Sequence, residues 1–513
     1  MDRIFPSYKE LKSLLLGQYK KWFLLGILFH LLAAIFSEGF LQYDEHFEII
    51  EFLSFKLGIT PEADLTMEYG ETMRPWIQPF LYYPLVKFFQ TIGIENRFLW
   101  VFSFRFISAL LGFYSILLLS LYSLETLKNE WQKKWAIISL NLLWFIPFVH
   151  ARTSCEAVGG SIFAIAFTVM ALKVVRNKYQ ATSFKVSQSL IIGLLMGMAF
   201  NMRYHIGFMI LFVTLWALLF KRVKVKSVFF ICLGVLAAIG VGICIDYWGY
   251  GKWTLAPYWY FHQNITLNLA NKWGTSPWWG YFKYSLKKGV HPITLPLLVG
   301  ALVFWAKKWK HELTWLTLPF FFVHSYVAHK EMRFLFPIVV YSPLLLLFLF
   351  NEKNKITSAL EKFFRGSFGR VLIKIVFVVN IVLIIQGSLR PVQSSVQFYK
   401  WTYKSLKEPL KKIHVVGDLK PYGIAALNMN FYNFHYPEEV FIKEEGLSSE
   451  IERLVSENTS SWVFASRGKN YFKLSENTKC QLYYLSIPKW MLNVNIGNWI
   501  SRSELWSLFK CEK

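Results

Sequence analysis

The stretch YDEHFEIIEFL, residues 43–53, follows the first long apolar run of the chain and carries four carboxylates. Asp44, Glu48 and Glu51 are four and three residues apart, so in an α-helix they project from one face. Glu45 points about 100° away from that face. Like charges at this spacing repel one another, whereas a carboxylate beside a substrate hydroxyl group acts as a general base. The stretch is either a solvated helix at a membrane surface or part of a catalytic site.

Further charged residues collect at the edges of apolar runs, on one predicted side of a membrane. They are Glu68, Arg74, Arg152, Arg203, Asp246, His329, Lys330, Glu331 and Arg333. Cations beside carboxylates suit glycosyl transfer from a phosphate, because fixed Arg, Lys or His donors stabilise the negative charge of the leaving phosphate. These residues predict chemistry on an anionic lipid-linked substrate rather than passage of a solute through the membrane.

The composition places these residues in a multi-pass membrane protein. Of 513 residues, 54% are hydrophobic and 19% are aromatic, whereas only 17% are charged, which is too little polar surface for a soluble domain of this size. The net charge of +24 does not indicate nucleic acid binding, because the Lys and Arg residues form short clusters between apolar runs. That distribution is typical of membrane topology, in which cytoplasmic loops carry the positive charge.

Apolar runs predict about eleven membrane-spanning helices. They lie near residues 22–37, 98–122, 136–150, 157–172, 187–202, 205–220, 227–245, 292–306, 313–327, 334–350 and 371–388. The first run has no small-residue cleavage site, so we expect it to stay as an anchor rather than to be removed as a signal peptide.

Basic clusters follow alternate apolar runs and predict the cytoplasmic loops. They lie near residues 128–134, 173–185, 221–226, 307–310 and 353–370. Residues 1–390 then form an all-α polytopic membrane domain with catalytic activity, and its two large extracytoplasmic loops are 41–97 and 246–290. Residues 391–513 alternate short β-rich and helical stretches, which predicts a small extracytoplasmic α/β domain.

The five cysteines form neither a CxxC pattern nor a Cys/His metal pattern, so no metal or cofactor is predicted. Cys155, Cys232 and Cys244 fall in or beside apolar runs, where a free cysteine behaves as a small buried hydrophobe. Cys480 and Cys511 belong to the last domain and could pair in an oxidising compartment. Their spacing alone does not show that their Cα atoms are close, so a disulfide and two free thiols are both open.

Four stretches together resemble glycosyltransferase family 22, the mannosyltransferases of the GPI-anchor and N-glycan pathways. They are DEHFEIIEF at 44–52, LTMEYGETMRPWIQPFLYYP at 65–84, DYWGYGKW at 246–253 with GTSPWWGY at 274–281, and HKEMRFLFPI at 329–338. Arg105 and the stretch RTSCE at 152–156 resemble two further elements of that family. Each stretch alone is a weak signal, whereas the four in the family's order are specific.

The resemblance implies a GT-C membrane fold and an inverting reaction that uses polyprenyl-phosphate-mannose and no nucleotide sugar. Asp44 matches the residue proposed as the family's base, and Glu45 is the reserve candidate. The residues expected to bind the donor phosphate are Arg203, His329, Lys330 and Arg333, and those expected to bind substrate are Glu51, Glu68, Arg74, Arg152, Asp246 and Tyr281. The expected partners are the donor, a glycan or glycolipid acceptor and membrane lipids, with the protein as a monomer.

Several alternatives stay open. A related transferase could use another polyprenyl-linked sugar, because the phosphate-binding stretch does not read the stereochemistry at C2. A transporter of lipid-linked sugars would need polar residues through the membrane depth. Asp246 could instead cap a loop or pair with Arg203, and the Trp and Tyr residues of these loops could form an interfacial aromatic belt. The composition suits a bacterial cytoplasmic membrane with a periplasmic site, whereas sequons at Asn264 and Asn458 suit the lumen of the endoplasmic reticulum.

Overall fold

The computed structural model describes residues 4–352, 355–406, 408–419, 421–424, 427–432, 437–457 and 460–513, so the sequon at Asn458 lies outside them. The chain folds into two compact units. The first comprises Met1–Ser37, Met67–Ile94 and Trp100–Arg390, and the second comprises Glu38–Thr66, Glu95–Leu99 and Pro391–Lys513. The acidic stretch that begins at Asp44 therefore belongs to the same unit as the C-terminal segment, although the sequence analysis groups it with the membrane domain.

The first unit is built from α-helices. Its helices are Tyr8–Leu16, Lys20–Phe36, Met67–Gly70, Ile77–Thr91, Arg97–Thr126 (which begins in the second unit), Glu130–Leu142, Phe145–His150, Cys155–Arg176, Val186–Met202, Ile206–Leu219, Val225–Tyr250, Ala256–Phe261, Gly280–Lys288, His291–Lys307, Glu312–Tyr326, Phe336–Val339, Ser342–Phe348, Lys355–Arg365 and Ser367–Leu389. Short 3₁₀ or π segments occur at His262–Thr266, Leu269–Trp273, Met332–Leu335 and Leu349–Asn351. Each apolar run predicted from the sequence falls on one of these helices or on two consecutive ones.

Fewer helices than predicted have the length and composition of a membrane span. Four qualify, namely Arg97–Thr126, Cys155–Arg176, Val225–Tyr250 and Ser367–Leu389. Two bent pairs, Tyr8–Leu16 with Lys20–Phe36 and Met332–Val339 with Ser342–Asn351, bring the number to six among the described residues if each pair is one span. Shorter apolar helices are Val186–Met202, Ile206–Leu219 and His291–Lys307. The count of about eleven spans stays a prediction.

Burial distinguishes a central helix from peripheral helices in the first unit. In the most apolar part of Cys155–Arg176, 89% of the residues are buried, against 33% in Val225–Tyr250 and 17% in Ser367–Leu389. The two peripheral helices expose apolar side chains such as Leu236 and Val378. Continuous apolar exposure along a helix of this length is expected where hydrocarbon surrounds it, so these helices form a lipid-facing periphery.

Two helices of the first unit approach closely because a glycine of each faces the other. Gly193 in Val186–Met202 lies against Gly234 in Val225–Tyr250. A Cβ atom added at Gly193 or at Gly234 would lie 2.1 Å or 2.5 Å from a backbone carbonyl oxygen of the partner helix. Small residues permit this approach between membrane helices. Both helices run toward the same end of the unit, so the contact fixes the spacing of the residues at their C-terminal ends.

The second unit contains a mixed five-stranded sheet. Its strands are β1 (Lys412–Val416), β4 (Glu438–Ile442), β5 (Ser460–Arg467), β6 (Cys480–Leu485) and β7 (Glu504–Glu512), in the order β4-β1-β5-β7-β6, and β2 (Gly423–Ile424) pairs with β3 (Leu427–Asn428). β1 is parallel to β4 and β5, whereas β7 is antiparallel to β5 and β6. The unit's helices are Glu51–Lys56, Ser394–Ser405, Leu447–Glu457, Gly468–Ser475 and Trp499–Arg502. The structure thus confirms a small C-terminal sheet with helices.

Cys480 and Cys511 form a disulfide, which settles the alternative that the sequence leaves open. They are directly opposite each other in neighbouring strands β6 and β7. Cys511 is buried in the hydrophobic core of the C-terminal domain, the part of the second unit that contains the five-stranded sheet. Cys155 is buried as expected, whereas Cys232 and Cys244 are exposed. The expectation of burial is wrong for those two because they lie on the outer side of the peripheral helix that contains them.

We expect Cys480→Ser to lower the free energy of unfolding of the C-terminal domain by about 3–4 kcal/mol, because the bridge restrains the unfolded chain. The bridged residues are 31 positions apart. The measurement is the urea dependence of proteolysis of the full-length protein, followed through a C-terminal tag. Cys232→Ser is the matched control, since it removes an exposed free thiol and leaves the bridge intact. Equal urea midpoints for the two variants would contradict this expectation.

Candidate active site

Three guanidinium groups are buried close together in the first unit. Arg74, Arg203 and Arg333 are 8%, 4% and 5% exposed. Arg203 Nη2 lies 3.1 Å from Glu156 Oε1, and Arg333 Nε lies 3.9 Å from the same oxygen. Arg74 and Arg203 also face the ring of Tyr260, with Cζ atoms 5.5 Å and 5.7 Å from its centroid. We call these five residues the arginine cluster.

The position of Arg74 is set by the end of one long helix. Tyr250 Oη donates a hydrogen bond to the Arg74 carbonyl oxygen at 2.8 Å and accepts one from the Arg74 amide at 3.0 Å. One turn earlier, Asp246 Oδ1 accepts a hydrogen bond from the Trp76 amide at 2.9 Å. Gly249 leaves room for the Trp76 ring, since an added Cβ would lie 2.1 Å from it. Asp246 thus caps the loop that carries Arg74.

Arg203 and Glu156 come from the ends of two packed helices. Arg203 follows directly after Val186–Met202. Glu156 is in the first turn of Cys155–Arg176, where the helix dipole favours an acidic side chain. The sequence analysis does not select Glu156 as a site residue, although a carboxylate at the edge of an apolar run is a signal that could have found it. Tyr260 carries no such signal, because it is one aromatic residue among many in its loop.

The stretch HKEMRF supplies Arg333 and its immediate partners. Glu331 binds the Arg333 guanidinium with both carboxylate oxygens, at 2.9 Å from Nε and 3.0 Å from Nη2. His329 Nε2 lies 3.1 Å from Glu331 Oε1. This hydrogen bond raises the pKa of His329. Glu331 therefore fixes Arg333 and favours the charged form of His329.

Residues of the same stretch hold the loop that precedes Tyr281. Lys330 Nζ donates a hydrogen bond to the Ser276 carbonyl oxygen at 3.1 Å, and His329 Nδ1 lies 3.1 Å from the Gly274 carbonyl oxygen. Burial lowers the pKa of the Lys330 ammonium group. Tyr281 is fully buried, and burial raises the pKa of its hydroxyl group. The predicted donor-binding residues His329 and Lys330 thus share one neighbourhood with the predicted substrate-binding loop.

Two other predicted substrate-binding residues take different positions. Glu68 Oε1 lies 3.8 Å from Arg74 Nη2, which places it beside the arginine cluster. Arg152 is fully buried, and its guanidinium donates hydrogen bonds to the carbonyl and hydroxyl oxygens of Ser37. Ser37 ends the helix Lys20–Phe36, and a cation at a helix C-terminus stabilises the carbonyl groups that lack helical partners.

The acidic stretch of the second unit holds its four carboxylates in different surroundings. Glu45, Glu48 and Glu51 are buried, whereas Asp44 is partly exposed. Glu45 Oε2 accepts a hydrogen bond from the Leu41 amide at 2.8 Å. A general base needs access to the hydroxyl group that it deprotonates. Among these four residues, Asp44 has the exposure that this role requires.

The stretch begins as a π-helix from Glu45 to Ile50 and continues as the α-helix Glu51–Lys56. Side chains five residues apart point about 140° from each other in an α-helix, whereas a π-turn closes its hydrogen bonds between residues five apart. His46 and Glu51 have this spacing, and His46 Nε2 lies 2.8 Å from Glu51 Oε1. The stretch is therefore not the regular α-helix in which Asp44, Glu48 and Glu51 would share one face.

Glu51 is held from several parts of the second unit. Besides His46, the Thr60 hydroxyl donates a hydrogen bond to Glu51 Oε2 at 2.5 Å, and the Phe431 amide donates one to Glu51 Oε1 at 3.0 Å. The His46 ring stacks on Tyr432, with centroids 5.5 Å apart. The carboxylate of Glu51 thus ties the acidic stretch to a distant part of the chain within its own unit.

The first unit provides fixed cationic donors in apolar surroundings. Preorganised donors of this kind stabilise negative charge more strongly than water does, because they need no reorganisation when the charge develops. Within the described ranges, no group of three or more His, Cys, Asp or Glu side chains is placed to hold a metal ion. The arginine cluster and the HKEMRF residues can therefore hold an anionic group such as a phosphate.

Comparison with known proteins identifies relatives of this chain. GPI mannosyltransferase 3 of Drosophila melanogaster is 26% identical over 302 residues, which cover 58% of this chain and 50% of that protein. GPI mannosyltransferase 3 of Candida albicans is 26% identical over 344 residues, which cover 66% of this chain and 64% of that protein. GPI alpha-1,2-mannosyltransferase 3 of Homo sapiens is 24% identical over 311 residues, covering 58% and 51%. The chain thus spans between 50% and 64% of the length of these relatives.

The fold is similar to that of ArnT from Cupriavidus metallidurans. The crystal structure of ArnT bound to undecaprenyl phosphate matches with a TM-score of 0.53 and 11% sequence identity, over 96% of this chain and 98% of that one. The apo structure of ArnT matches with a TM-score of 0.51. At this identity the similarity concerns the fold alone, and it gives the mostly helical protein an ArnT-like GT-C fold.

A family model extends over most of the sequence. The model of the Alg9-like mannosyltransferase family matches residues 21–416. That range contains the acidic stretch that begins at Asp44, every member of the arginine cluster and the HKEMRF stretch. By the extent of this match, the chain belongs to the Alg9-like mannosyltransferase family.

Proposed function

We propose that the protein is an inverting mannosyltransferase that moves mannose from polyprenyl-phosphate-mannose to a lipid-linked glycan or glycolipid acceptor. The observation that carries the proposal is the arginine cluster, in which three guanidinium groups are each more than nine tenths buried. Buried cations are costly unless anions satisfy them, and the phosphate of a lipid-linked sugar is an anion that Arg binds well. Family membership supports mannose as the sugar, and the ArnT complex with undecaprenyl phosphate supports a polyprenyl phosphate carrier.

The cations act on the leaving group. In the reaction the bond between C1 of mannose and the phosphate oxygen breaks, and its electron pair goes to that oxygen. The polyprenyl phosphate then carries one more negative charge than it did in the donor. Arg203 and Arg333 are held by Glu156 and Glu331, so they stabilise this charge without reorganising. Lys330 and His329 add positive charge beside Arg333.

Asp44 acts as the general base. It takes the proton of the acceptor hydroxyl group as the oxygen attacks C1 from the side opposite the phosphate, which inverts the configuration at C1. Glu45 is buried and accepts a hydrogen bond from the Leu41 amide, so it stays the reserve candidate. In this proposal Glu68 and Arg74 contact substrate, and the buried Tyr281 supports the loop that Lys330 holds. The members of a second group position other residues through the contacts described above. That group consists of Glu51, Arg152 and Asp246.

The reaction takes place on the extracytoplasmic side of the membrane in this proposal. The disulfide between Cys480 and Cys511 supports that side, because disulfides persist in oxidising compartments. The periplasm of a bacterium and the lumen of the endoplasmic reticulum are both oxidising. We favour a bacterial cytoplasmic membrane with a periplasmic site and keep the endoplasmic reticulum as the alternative.

A transfer assay tests the proposal. The purified protein in nanodiscs is incubated with polyprenyl-phosphate-mannose and glycolipid acceptors, and mannosylated product of inverted anomeric configuration is the expected result. Polyprenyl-phosphate-glucose, in which the sugar differs from mannose at C2, tests the alternative donor. Transfer of glucose but not of mannose would overturn the proposed sugar. Movement of the lipid-linked sugar across vesicles without any product would identify a transporter instead.

We expect Asp44→Asn to lower turnover by at least about 10²-fold, the lower scale of general-base catalysis, because the amide keeps the shape and loses the basicity. Donor binding, measured by calorimetry, stays unchanged. Glu45→Gln is the matched control, since it removes the same charge one residue away and leaves the base in place. Near wild-type turnover in Asp44→Asn together with inactive, folded Glu45→Gln would make Glu45 the base.

We expect Arg333→Ala and Lys330→Ala each to lower turnover, by about 10²- to 10³-fold for Arg333, because each removes a donor that acts on the leaving phosphate. Steady-state kinetics with the lipid-linked donor give the measurement. Arg453→Ala is the control, because Arg453 pairs with Glu450 on an exposed helix of the second unit. Unchanged kinetics in both site variants would indicate that Arg333 and Lys330 do not bind the donor phosphate and are only charged residues at the membrane interface.

The raised pKa of His329 predicts a pH dependence. Its ordinary pKa is 6.5, and the hydrogen bond to Glu331 raises that pKa, so His329 stays protonated to a higher pH. Its positive charge beside Arg333 is present below 6.5 and is lost as the pH rises through the raised pKa. We expect kcat/KM for the donor to fall across that step by about fivefold at most, since His329 is partly exposed.

The control for this step is His329→Gln, which cannot gain the charge and should lack the step. The donor is a phosphodiester that carries one negative charge across this range, so the step reports on the protein. Superimposable pH profiles for the wild-type protein and His329→Gln would show that His329 does not contribute its charge to donor binding.

A further inference from the structure

A long segment of the first unit carries positive charge without any acidic residue. Residues 251–290, which we call the cationic segment, join the helices Val225–Tyr250 and His291–Lys307. The segment contains no Asp or Glu, and the surrounding sequence has none from residue 247 to residue 311. Five lysines of the segment, Lys252, Lys272, Lys283, Lys287 and Lys288, are all exposed.

The same segment exposes large aromatic side chains. Trp253, Trp273 and Trp278 are 68%, 66% and 67% exposed. Phe261 and Leu267 are also exposed. Tryptophan is enriched where a protein meets the interface between membrane and water, because its ring is apolar and its N–H is polar. The segment therefore combines the two kinds of side chain that an anionic membrane surface binds, namely interfacial aromatics and cations.

Neither the predicted topology nor a carboxylate in the part of the chain that the structure describes explains these lysines. On the predicted topology the segment is extracytoplasmic, and the positive-inside rule places unneutralised lysines on the other side. Glu71 reaches the segment, but it accepts a hydrogen bond from Gln263. Glu331 binds Arg333 and His329. An anionic partner from outside the chain would therefore neutralise the positive charge of the segment.

We infer that the cationic segment lies on the membrane surface and binds the headgroups of anionic phospholipids. Both of its ends continue into apolar helices of the first unit, so the segment stays near the surface of the bilayer. Its tryptophans enter the interfacial layer, and its lysines meet the lipid phosphates. The aromatic side chains alone would suit any bilayer, so the absence of acidic residues is the observation that selects anionic lipids.

This inference goes beyond the transferase reaction and does not depend on it. The segment nevertheless touches the candidate site, because Ser276 accepts a hydrogen bond from Lys330 and its amide donates one to the Ala328 carbonyl oxygen at 2.8 Å. Bound lipid would therefore hold in place the loop against which Lys330 packs.

Hydrogen–deuterium exchange of the full-length protein in nanodiscs tests the inference. Peptides from 251–290 are compared in discs of phosphatidylcholine and in discs with one part in three of phosphatidylglycerol. We expect slower exchange in the anionic discs, and we expect high salt to remove the difference. Replacing Lys272, Lys287 and Lys288 by Gln should abolish it, because each lysine near an anionic surface contributes about fivefold in affinity and three contribute on the order of 10²-fold.

The control replaces Lys221, Lys224 and Lys226 by Gln, which removes three lysines before and at the start of the helix Val225–Tyr250 and should leave the difference intact. Equal exchange in both kinds of disc would overturn the inference. A difference that persists in the lysine variant would also overturn it. So would protection that depends on Trp273 and Trp278 and is equally strong in neutral and anionic discs, because that result would indicate an aromatic belt that does not respond to lipid charge. Protection that needs an added glycolipid acceptor would assign the segment to the acceptor instead.

Discussion

The ion pair between Arg203 and Glu156 is the interaction on which the arginine cluster depends. Both side chains are almost fully buried, and removal of either would leave an uncompensated charge that typically costs about 3–5 kcal/mol. The same carboxylate oxygen also lies near Arg333. Glu156 therefore compensates the charge of Arg203 and, together with Glu331, that of Arg333.

The helices of the first unit hold this pair in position through small residues. A Cβ atom added at Gly160 would lie 2.8 Å from the Cα atom of Pro337. Gly160 is one turn after Glu156, and Pro337 is four residues after Arg333, so the close backbone contact sets the position of Glu156 relative to Arg333. The contact between Gly193 and Gly234 does the same for Arg203 and for the helix end that clamps Arg74. Rigid helix packing thus supplies the preorganisation that charge stabilisation requires.

Sequence patterns predict much of the first unit, because the apolar composition of a membrane helix can be recognised from the residues of that helix alone. Each predicted apolar run coincides with helix, and Arg203, Lys330 and Arg333 follow from their positions at run ends. Glu156 and Tyr260 are harder to find, since their role depends on which helix ends meet in space. Cys232 and Cys244 show the same limit, because composition does not say which side of a helix faces outward.

The acidic stretch shows where local pattern fails altogether. Its charge spacing fits an α-helix, yet its partners decide the geometry. Glu51 is bound by His46 from within the stretch and by Phe431 from a part of the chain 380 residues away. A π-turn brings His46 to Glu51, and the stabilisation from these buried hydrogen bonds exceeds the weak preference for α-geometry. No window of neighbouring residues contains that information.

The chain uses its two kinds of cation for two physical tasks. The arginine cluster relies on guanidinium groups, whose planar arrangement of donors binds carboxylate or phosphate in a fixed geometry. The cationic segment, residues 251–290, contains five lysines and no arginine, and a lysine is a mobile point charge on a flexible stem. A reacting phosphate must be held at one position, so it needs guanidinium groups. Lipid headgroups exchange and diffuse, so a surface that binds them needs charge density and tolerance rather than fixed geometry, which lysines interleaved with tryptophans provide.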